Sequence, residues 1–352
     1  MELGNKELIE ALNVLEKEKS ISKDVLFTAL ENSLLAACKS QYGKNDNIRV
    51  EIDRETGAVA VYADMTIVDE VVSPSSEMNV ITAEQKFPGK KYEVGDVVAV
   101  EVTPKDFGRI AAGAAKQAVV QKIREEERRV LFEQYRNQEK LVVSGIVQRF
   151  IGNNISVHLG KTDGMLTENE QIRGERFRTG DRIKVYVLEV KDTNKGPKVT
   201  LSRTHPDLVK RLFEMEVTEV ANGTVEIMAL SRDPGARTKM AVRSNETGVD
   251  AIGACVGPNG MRVNAVVEEL GGEKIDIIQW SDSPEILIKN ALSPAKALSV
   301  EVDGETRSAR VIVPDQQLSL AIGREGQNAR LAARLTGYKI DIKSESQADE
   351  EE

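Results

Sequence analysis

The sequence predicts a multidomain α+β chain: an α/β N-terminal segment, a five-stranded β-barrel, and two tandem copies of one helix–loop–helix–strand unit. Three observations predict it. The 352 residues are more than one ordinary core can serve, so about two to four domains are expected. Between residues 141 and 202, short runs with strand patterning are separated by glycine turns, as in a small closed barrel. Finally, a G-x-x-G loop flanked by helical patterning occurs twice, at Gly257 and Gly323, 66 residues apart. Such self-similarity marks an internal duplication.

The N-terminal segment mixes helices and strands. Residues 2–19 read as an amphipathic helix through Leu8, Ala11, Leu12 and Leu15. Ser22 or Asp24 starts a second helix, carrying Val25, Leu26, Ala29, Leu30, Leu34 and Ala37 to about Lys39. Ile48 to Asp53 alternates as a strand, turns at Arg54–Gly57 and returns over Ala58–Ala63. Met65–Val72 reads as a further strand, Ser73–Lys91 with its Pro74, Pro88 and Gly89 as an exposed connection, and Val97–Val102 as a strand. Ala111–Arg136 is a long helix with an imperfect apolar stripe. Its stretch Lys122–Arg129 is charged nearly all round, which suits a solvated spacer.

The five strand runs of the barrel are Leu141–Arg149, Asn154–Leu159, Gly164–Leu166, Arg182–Val190 and Lys198–Leu201. Five strands with a basic excess suggest an OB fold. Arg149, Phe150 and His158 fall near the usual binding face, where Phe150 could stack a base. Arg173, Arg176, Arg178 and Arg182 cluster on a segment that reads as a loop off that face.

In the second copy of the repeated unit, Asp315 can cap a helix whose apolar face is Leu318, Ala321 and Ile322. Gly323-Arg324-Glu325-Gly326 follows. A second helix begins at Gln327 and Asn328, with Leu331, Ala332 and Leu335 inward and Arg330 and Arg334 outward. Gly337 sits where a left-handed cap belongs, before the strand Tyr338–Ile342. The first copy repeats the order: helix Val249–Val256, loop Gly257-Pro258-Asn259-Gly260, helix from Met261 with Val263, Val267 and Leu270 on one face, then strand Glu273–Trp280. Helix, G-x-x-G, helix, strand is the signature of a KH domain, which clamps about four nucleotides of single-stranded nucleic acid.

The residue types fit that task. Glycines without Cβ let backbone approach a phosphodiester, and the next helix turns its unpaired N–H groups toward it. Arg324 adds charge. The first loop has no base between its glycines, although Arg262 follows closely. Upstream, strand Gly223–Leu230, a turn at Pro234-Gly235 and strand Met240–Arg243 put Arg237 and Lys239 on one side, as candidate phosphate contacts. Ser283–Leu292 joins the copies, Ser293–Lys296 marks the boundary, and Leu298–Val302 and Ser308–Val313 supply two strands. So short a connection implies that the two units pack together.

A net charge of −9 is unexpected for an RNA binder, but it is unevenly spread. Residues 1–139 carry −6, 140–202 carry +4, 203–343 carry −2 and 344–352 carry −5. An acidic head fits a protein partner, and the basic middle fits RNA. No run is apolar enough to span a membrane, and MELGNKELIE is no signal peptide. Cys38 and Cys255 sit far apart in apolar contexts, which suits buried thiols in a reducing cytoplasm. Two cysteines and two histidines without ligand spacing argue against a zinc site. No cofactor is expected.

The motifs LSRTHP (201–206), SRDPGARTKMAV (231–242), GACVGPNGMRV (253–263), ELGGEKIDII (269–278), NALSPAKA (290–297) and LSLAIGREGQNARLAARLTG (318–337) together resemble the NusA family of bacterial transcription termination/antitermination proteins. The resemblance covers nearly the whole chain. It implies an S1-type barrel over 140–202, prokaryotic (type II) KH domains over 203–282 and 283–345, a polymerase-binding N-terminal domain over 1–139, and a disordered acidic tail over 346–352. It further implies a monomeric, non-enzymatic, cytoplasmic factor. Its partners would be core RNA polymerase, nascent single-stranded RNA and other elongation factors, with no membrane. The acidic C-terminal repeats of some members are not expected, nor autoinhibition through them. Two other classes remain open: an RNA-processing enzyme, against which residues 1–139 show no phosphate loop or two-metal carboxylate cluster, and a ribosome-associated RNA chaperone.

Overall fold

Alternating and helical hydrophobic patterns become two compact units, Met1–Val130 and Leu131–Glu352, in the computed structural model. The structure describes residues 22–42, 47–103 and 107–349, with residues 9, 10, 12, 13 and 16 before them. The expected first helix therefore lies largely outside the described residues, although Leu12 is buried in the first unit's core.

In the first unit, helix α1 (Lys23–Tyr42) buries Leu26, Leu30 and Leu34 against the hairpin of β1 (Ile48–Ile52) and β2 (Val59–Val68). Ile48 pairs with Ala63 and Ile52 with Val59. The expected break before Met65 does not exist: Val61, Ala63, Met65 and Ile67 alternate inward without interruption. The expected exposed connection 73–91 is also corrected. It holds strand β3 (Glu77–Asn79), parallel to β2, and helix α2 (Val80–Lys86). Asn79 caps that helix by accepting the Thr82 N–H at 2.8 Å, and Met78 and Ala83 enter a small core with Met65 and Val98. Strand β4 (Val97–Glu101) completes the sheet against β2. Helix α3 (Phe107–Arg136) packs Ala118 and Ile123 in the first unit's core, while its last turn gives Leu131, Phe132 and Tyr135 to the barrel core.

The second unit begins with that barrel. Strands β5 (Val142–Ile151), β6 (Asn154–His158), β7 (Asp163–Leu166), β8 (Arg182–Lys191) and β9 (Lys198–Ser202) close in the order β5-β6-β7-β9-β8. Val147, Val157, Val185 and Leu201 fill the interior. The Tyr135 hydroxyl donates to the Leu159 carbonyl at 3.0 Å, and its ring joins that core.

Each repeated unit folds as helix, strand, strand, helix, loop, helix, strand. The first has α4 (Pro206–Glu216), a short α5 (Thr218–Ala221), β10 (Val225–Asp233), β11 (Arg237–Ser244), α6 (Ala251–Val256), α7 (Met261–Glu269) and β12 (Lys274–Gln279). The second has α8 (Pro284–Ala291), β13 (Ser299–Asp303), β14 (Ser308–Val313), α9 (Leu318–Ile322), α10 (Gln327–Thr336) and β15 (Lys339–Ser344). In both sheets the middle strand is antiparallel to the first and parallel to the last.

Several local expectations shift. Residues 284–291 are not a connection but the first helix of the second copy, capped by Ser283 and burying Leu287, Ile288 and Ala291. The inward residue of α7 is Val266, not Val267. Ile322 is exposed rather than part of the inward face of α9. Asp315 does not cap that helix; its carboxylate accepts from the backbone N–H and the hydroxyl of Ser346. This tethers a further helical turn, α11 (Glu345–Asp349), with Ala348 buried. The expected disorder of the tail therefore fails for 346–349, and 350–352 lie outside the described residues.

Buried ion pairs set the junctions. Arg203, 1% exposed, follows the last barrel strand. Its guanidinium holds the Glu175 carboxylate at 2.8 Å and the carbonyls of Lys184 and Glu269 at 2.6 and 2.7 Å, tying the barrel to α7. The two KH copies share one core: Ala241 and Ile278 of the first pack with Leu287, Ile288, Ala332 and Leu335 of the second.

Candidate nucleic-acid interface

The two G-x-x-G loops are conformational copies. Gly257 and Gly323 have φ/ψ of 72/173° and 76/171°, a region essentially reserved for glycine. Asn259 and Glu325 are left-handed at φ 52° and 53°, and Gly260 and Gly326 at φ 75° and 73°. A Cβ on Gly323 would stand 2.8 Å from both the backbone N and the Cβ of Asn328. That close approach brings the mouth of α10 against the loop, where its first N–H groups and positive dipole end favour an anion. Arg324 is 93% exposed and Glu325 81%, and at the tip their charged groups lie 3.9 Å apart.

The expected contact residues divide into those that face outward and those that build the loop. Arg330 donates to the Glu325 carbonyl and staples the loop from outside. Gln327 donates to the Asp233 carboxylate of the first copy at 2.6 Å. Asn328 is buried, and its amide donates to the Leu292 and Ala321 carbonyls at 3.0 Å each. In the first copy, Arg262 is spent on Glu219 at 3.0 Å and on the Ala254 carbonyl at 2.7 Å. Pro258, Asn259 and Gly260 therefore offer phosphate only backbone and amide groups.

Arg237 and Lys239 correct the sequence reading most sharply. Lys239 is fully buried, donating to Asp276 at 3.0 Å and to the Ser293 carbonyl at 2.8 Å. Arg237 grips the same carboxylate at 2.7 and 2.8 Å. Strand alternation does place them on one side, but that side is covered by β12 and the start of the second copy. Burial pushes the Asp276 carboxyl up, yet the Arg237 hydrogen bond and the Lys239 charge outweigh it and hold the group below its ordinary range.

Where the two copies meet lies a groove of about 500 Å³ lined by Ile252, Ile277 and Ile278 of the first copy and by Lys289, Asn290 and Lys296 of the second. Its cations thus come from the neighbouring copy. No local signal in the sequence marks Lys289 or Lys296, because only packing brings them to a site built more than ten residues upstream. On the barrel, Arg149 pairs with Ser156 across the strands and lines a shallow cleft of about 280 Å³ with Asp163, Met165, Lys195 and Lys198. The two lysines come from the β8–β9 turn and its edge, which sequence reasoning passed over. Phe150 is half-exposed but does not line this cleft, since neighbours in a strand face opposite sides. His158 is held by Asp163 at 2.9 Å.

A loop repeated in both dihedrals and context, set in two α–β–β–α–α–β units behind a five-stranded barrel, is a specific combination. Comparison with known proteins agrees with it. Residues 7–129 match the NusA N-terminal domain, 137–202 the S1 RNA binding domain, 203–280 the NusA-like first KH domain and 284–350 the NusA-like second KH domain. The transcription termination/antitermination protein NusA of Bacillus subtilis is 52% identical over 98% of this chain and 92% of its own length. The chain belongs to the NusA family. The NusA of Halalkalibacterium halodurans is 50% identical over 98% of the chain and 90% of its own length, and that of Mycobacterium tuberculosis 43% over 96% and 92%. As expected for the NusA family, the chain combines a NusA N-terminal domain, an S1 barrel and two tandem KH domains. Among the described residues, no helix is long and apolar enough to cross a membrane.

Proposed function

We propose that this chain is a non-enzymatic, cytoplasmic, monomeric transcription elongation factor. Residues 1–139 hold core RNA polymerase, while the barrel (140–202) and the KH units (203–282 and 283–345) hold emerging single-stranded RNA. By engaging both, the protein tunes pausing, termination and antitermination; its relatives are named as transcription termination/antitermination proteins. The observation that carries the RNA half is the duplicated loop: two glycine-gated helix mouths of matching dihedrals, the second tipped by an exposed Arg324. The polymerase half is supported by family membership and by the first unit's surface. That surface is acidic overall and exposes Val72, Ile81, Val94 and Val97, the kind of apolar side chains that protein contacts cover. Other elongation factors are further partners in this reading.

Photo-crosslinkers placed singly at Val72 and Arg324 of the full chain, bound to polymerase on an RNA-bearing scaffold, test it. Val72 should mark polymerase and Arg324 the transcript; the opposite pattern refutes the assignment. Shortening of labelled RNA in magnesium and phosphate would instead favour a processing enzyme, and preference for ribosomes over polymerase the chaperone reading.

A further inference from the structure

We propose that the cleft between the barrel and the first KH unit is a further phosphate site for single-stranded RNA, separate from both G-x-x-G loops and from the barrel cleft of Arg149. The inference rests on the RNA-binding reading above. The cleft measures about 560 Å³. The barrel side contributes Arg173, Arg176 and Arg182, and the KH side Gly235 and the end of α7 from Glu268 to Gly271.

The three arginines are exposed, and among the described residues none has an ion-pair or side-chain hydrogen-bond partner. This sets them apart from Arg203, Arg232, Arg237 and Arg262, each of which holds a carboxylate. Two acids that line the cleft, Glu175 and Glu269, are already committed. Glu175 binds Arg203, and Glu269 lies 3.5 Å from Arg203 and 3.8 Å from Lys184. Two carboxylates against two bases cancel, which leaves three guanidinium groups facing the single exposed acid Glu268. Guanidinium forks take phosphate oxygens in pairs, so unspent forks converging on a concavity specify an oxyanion.

The floor is rigid. Gly235 turns the β10–β11 hairpin at φ 80°, and a Cβ there would stand 2.3 Å from Ile172, which is itself buried. Barrel loop and KH hairpin are thus in close contact. Phe177 also lines it, but the Arg203 guanidinium lies over its ring at 5.5 Å from the centroid. That face is unavailable for base stacking, so the site reads phosphate and not sequence. Its position favours RNA over an acidic peptide. A strand held by the barrel and by the first KH loop is one continuous polyanion, and the cleft lies at the joint between those modules.

The test uses the full chain and the variant R173Q/R176Q/R182Q. Fluorescence anisotropy is measured with unstructured RNAs of about four nucleotides, enough for one KH loop, and of about 20 nucleotides, enough for barrel and loops, across a salt series. The variant should bind the short RNA as before. It should bind the long RNA about tenfold more weakly, with the log K against log salt slope reduced by about 2 for three lost phosphates. Unchanged affinity and slope for the long RNA overturn the proposal. Among the described residues the three side chains have no ion-pair or hydrogen-bond partner, so melting should not change; should it change, the triple lysine variant must keep the wild-type slope for the site to stand. A poly-glutamate peptide that binds the wild type but not the variant, with long-RNA affinity equal in both, assigns the cleft to an acidic protein and also overturns it. Gly326→Asp in parallel separates the two readings: loss of short-RNA binding there, with no effect of the triple variant, keeps the loops and removes the cleft, whereas no effect of either removes both.

Discussion

Replacing Gly326 by Asp should weaken RNA binding while leaving the fold nearly intact, and replacing Gly323 by Ala should damage both. The two glycines are three residues apart and both have positive φ, but their surroundings differ. At Gly326, φ 73° and ψ 16° lie in the left-handed helical region, which Asp tolerates better than most residues, at a cost of about 1 kcal/mol. A Cβ there meets nothing closer than Arg330 Nη1 at 3.6 Å. The new carboxylate would stand at the phosphate seat in partly hydrated surroundings. Like charges about 4 Å apart there repel by roughly 1–4 kcal/mol, about five- to several-hundred-fold in Kd. At Gly323, ψ is 171°, and an L residue pays about 1–3 kcal/mol for that conformation. The 2.8 Å approach to the Asn328 backbone adds about 1–3 kcal/mol of overpacking. Anisotropy titration with labelled single-stranded RNA, alongside urea unfolding, reads both quantities. If Gly326→Asp binds RNA as tightly as wild type in a folded protein, the loop is not the phosphate seat.

Glu325→Asn should stabilise the second KH unit by about 0.5–1 kcal/mol, because Asn accepts the left-handed backbone more readily, as Asn259 does in the first copy at the same dihedrals. It should also tighten RNA binding several-fold by removing a carboxylate; looser binding would show that Glu325 contributes directly. Glu273 is fully buried and accepts from Arg232, Thr238 and the Gly235 N–H. Glu273→Ala leaves Arg232 without its counter-charge and should cost about 3–5 kcal/mol in urea unfolding. Asp276, with its pKa held down in the fold, contributes stability above the unfolded carboxylate pKa of about 3.9 that is lost as pH falls through the lower folded value. Asp276→Asn should remove that part of the acid limb; an unchanged acid limb would refute the coupling. Burial pushes the Cys255 thiol up to about 11, and Cys38 is likewise raised by burial. Both should resist alkylation at pH 8 in the native protein and react in urea; rapid native labelling would contradict their burial.

Features that depend on neighbours along the chain were legible before folding. The paired glycines, the inward face of Leu331, Ala332 and Leu335, the left-handed cap at Gly337 and the five barrel runs are local patterns, and the structure has them all. Asn79 capping 80–86 and Ser283 capping 284–291 were also locally written, but prolines and short lengths made both stretches read as connections. Tertiary structure alone decided which charges are free. Arg237 and Lys239 have the composition of a phosphate contact, and Asn328 follows the second loop directly. Yet Asp276 lies 37 residues beyond Lys239 and Leu292 lies 36 before Asn328, and those partners consume them. Conversely Lys289 and Lys296 reach the first copy's groove only because the two sheets share a core. Periodicity reports which way a side chain points relative to its own element; whether water, a carboxylate or a carbonyl meets it there depends on segments that are distant in sequence and close only after folding.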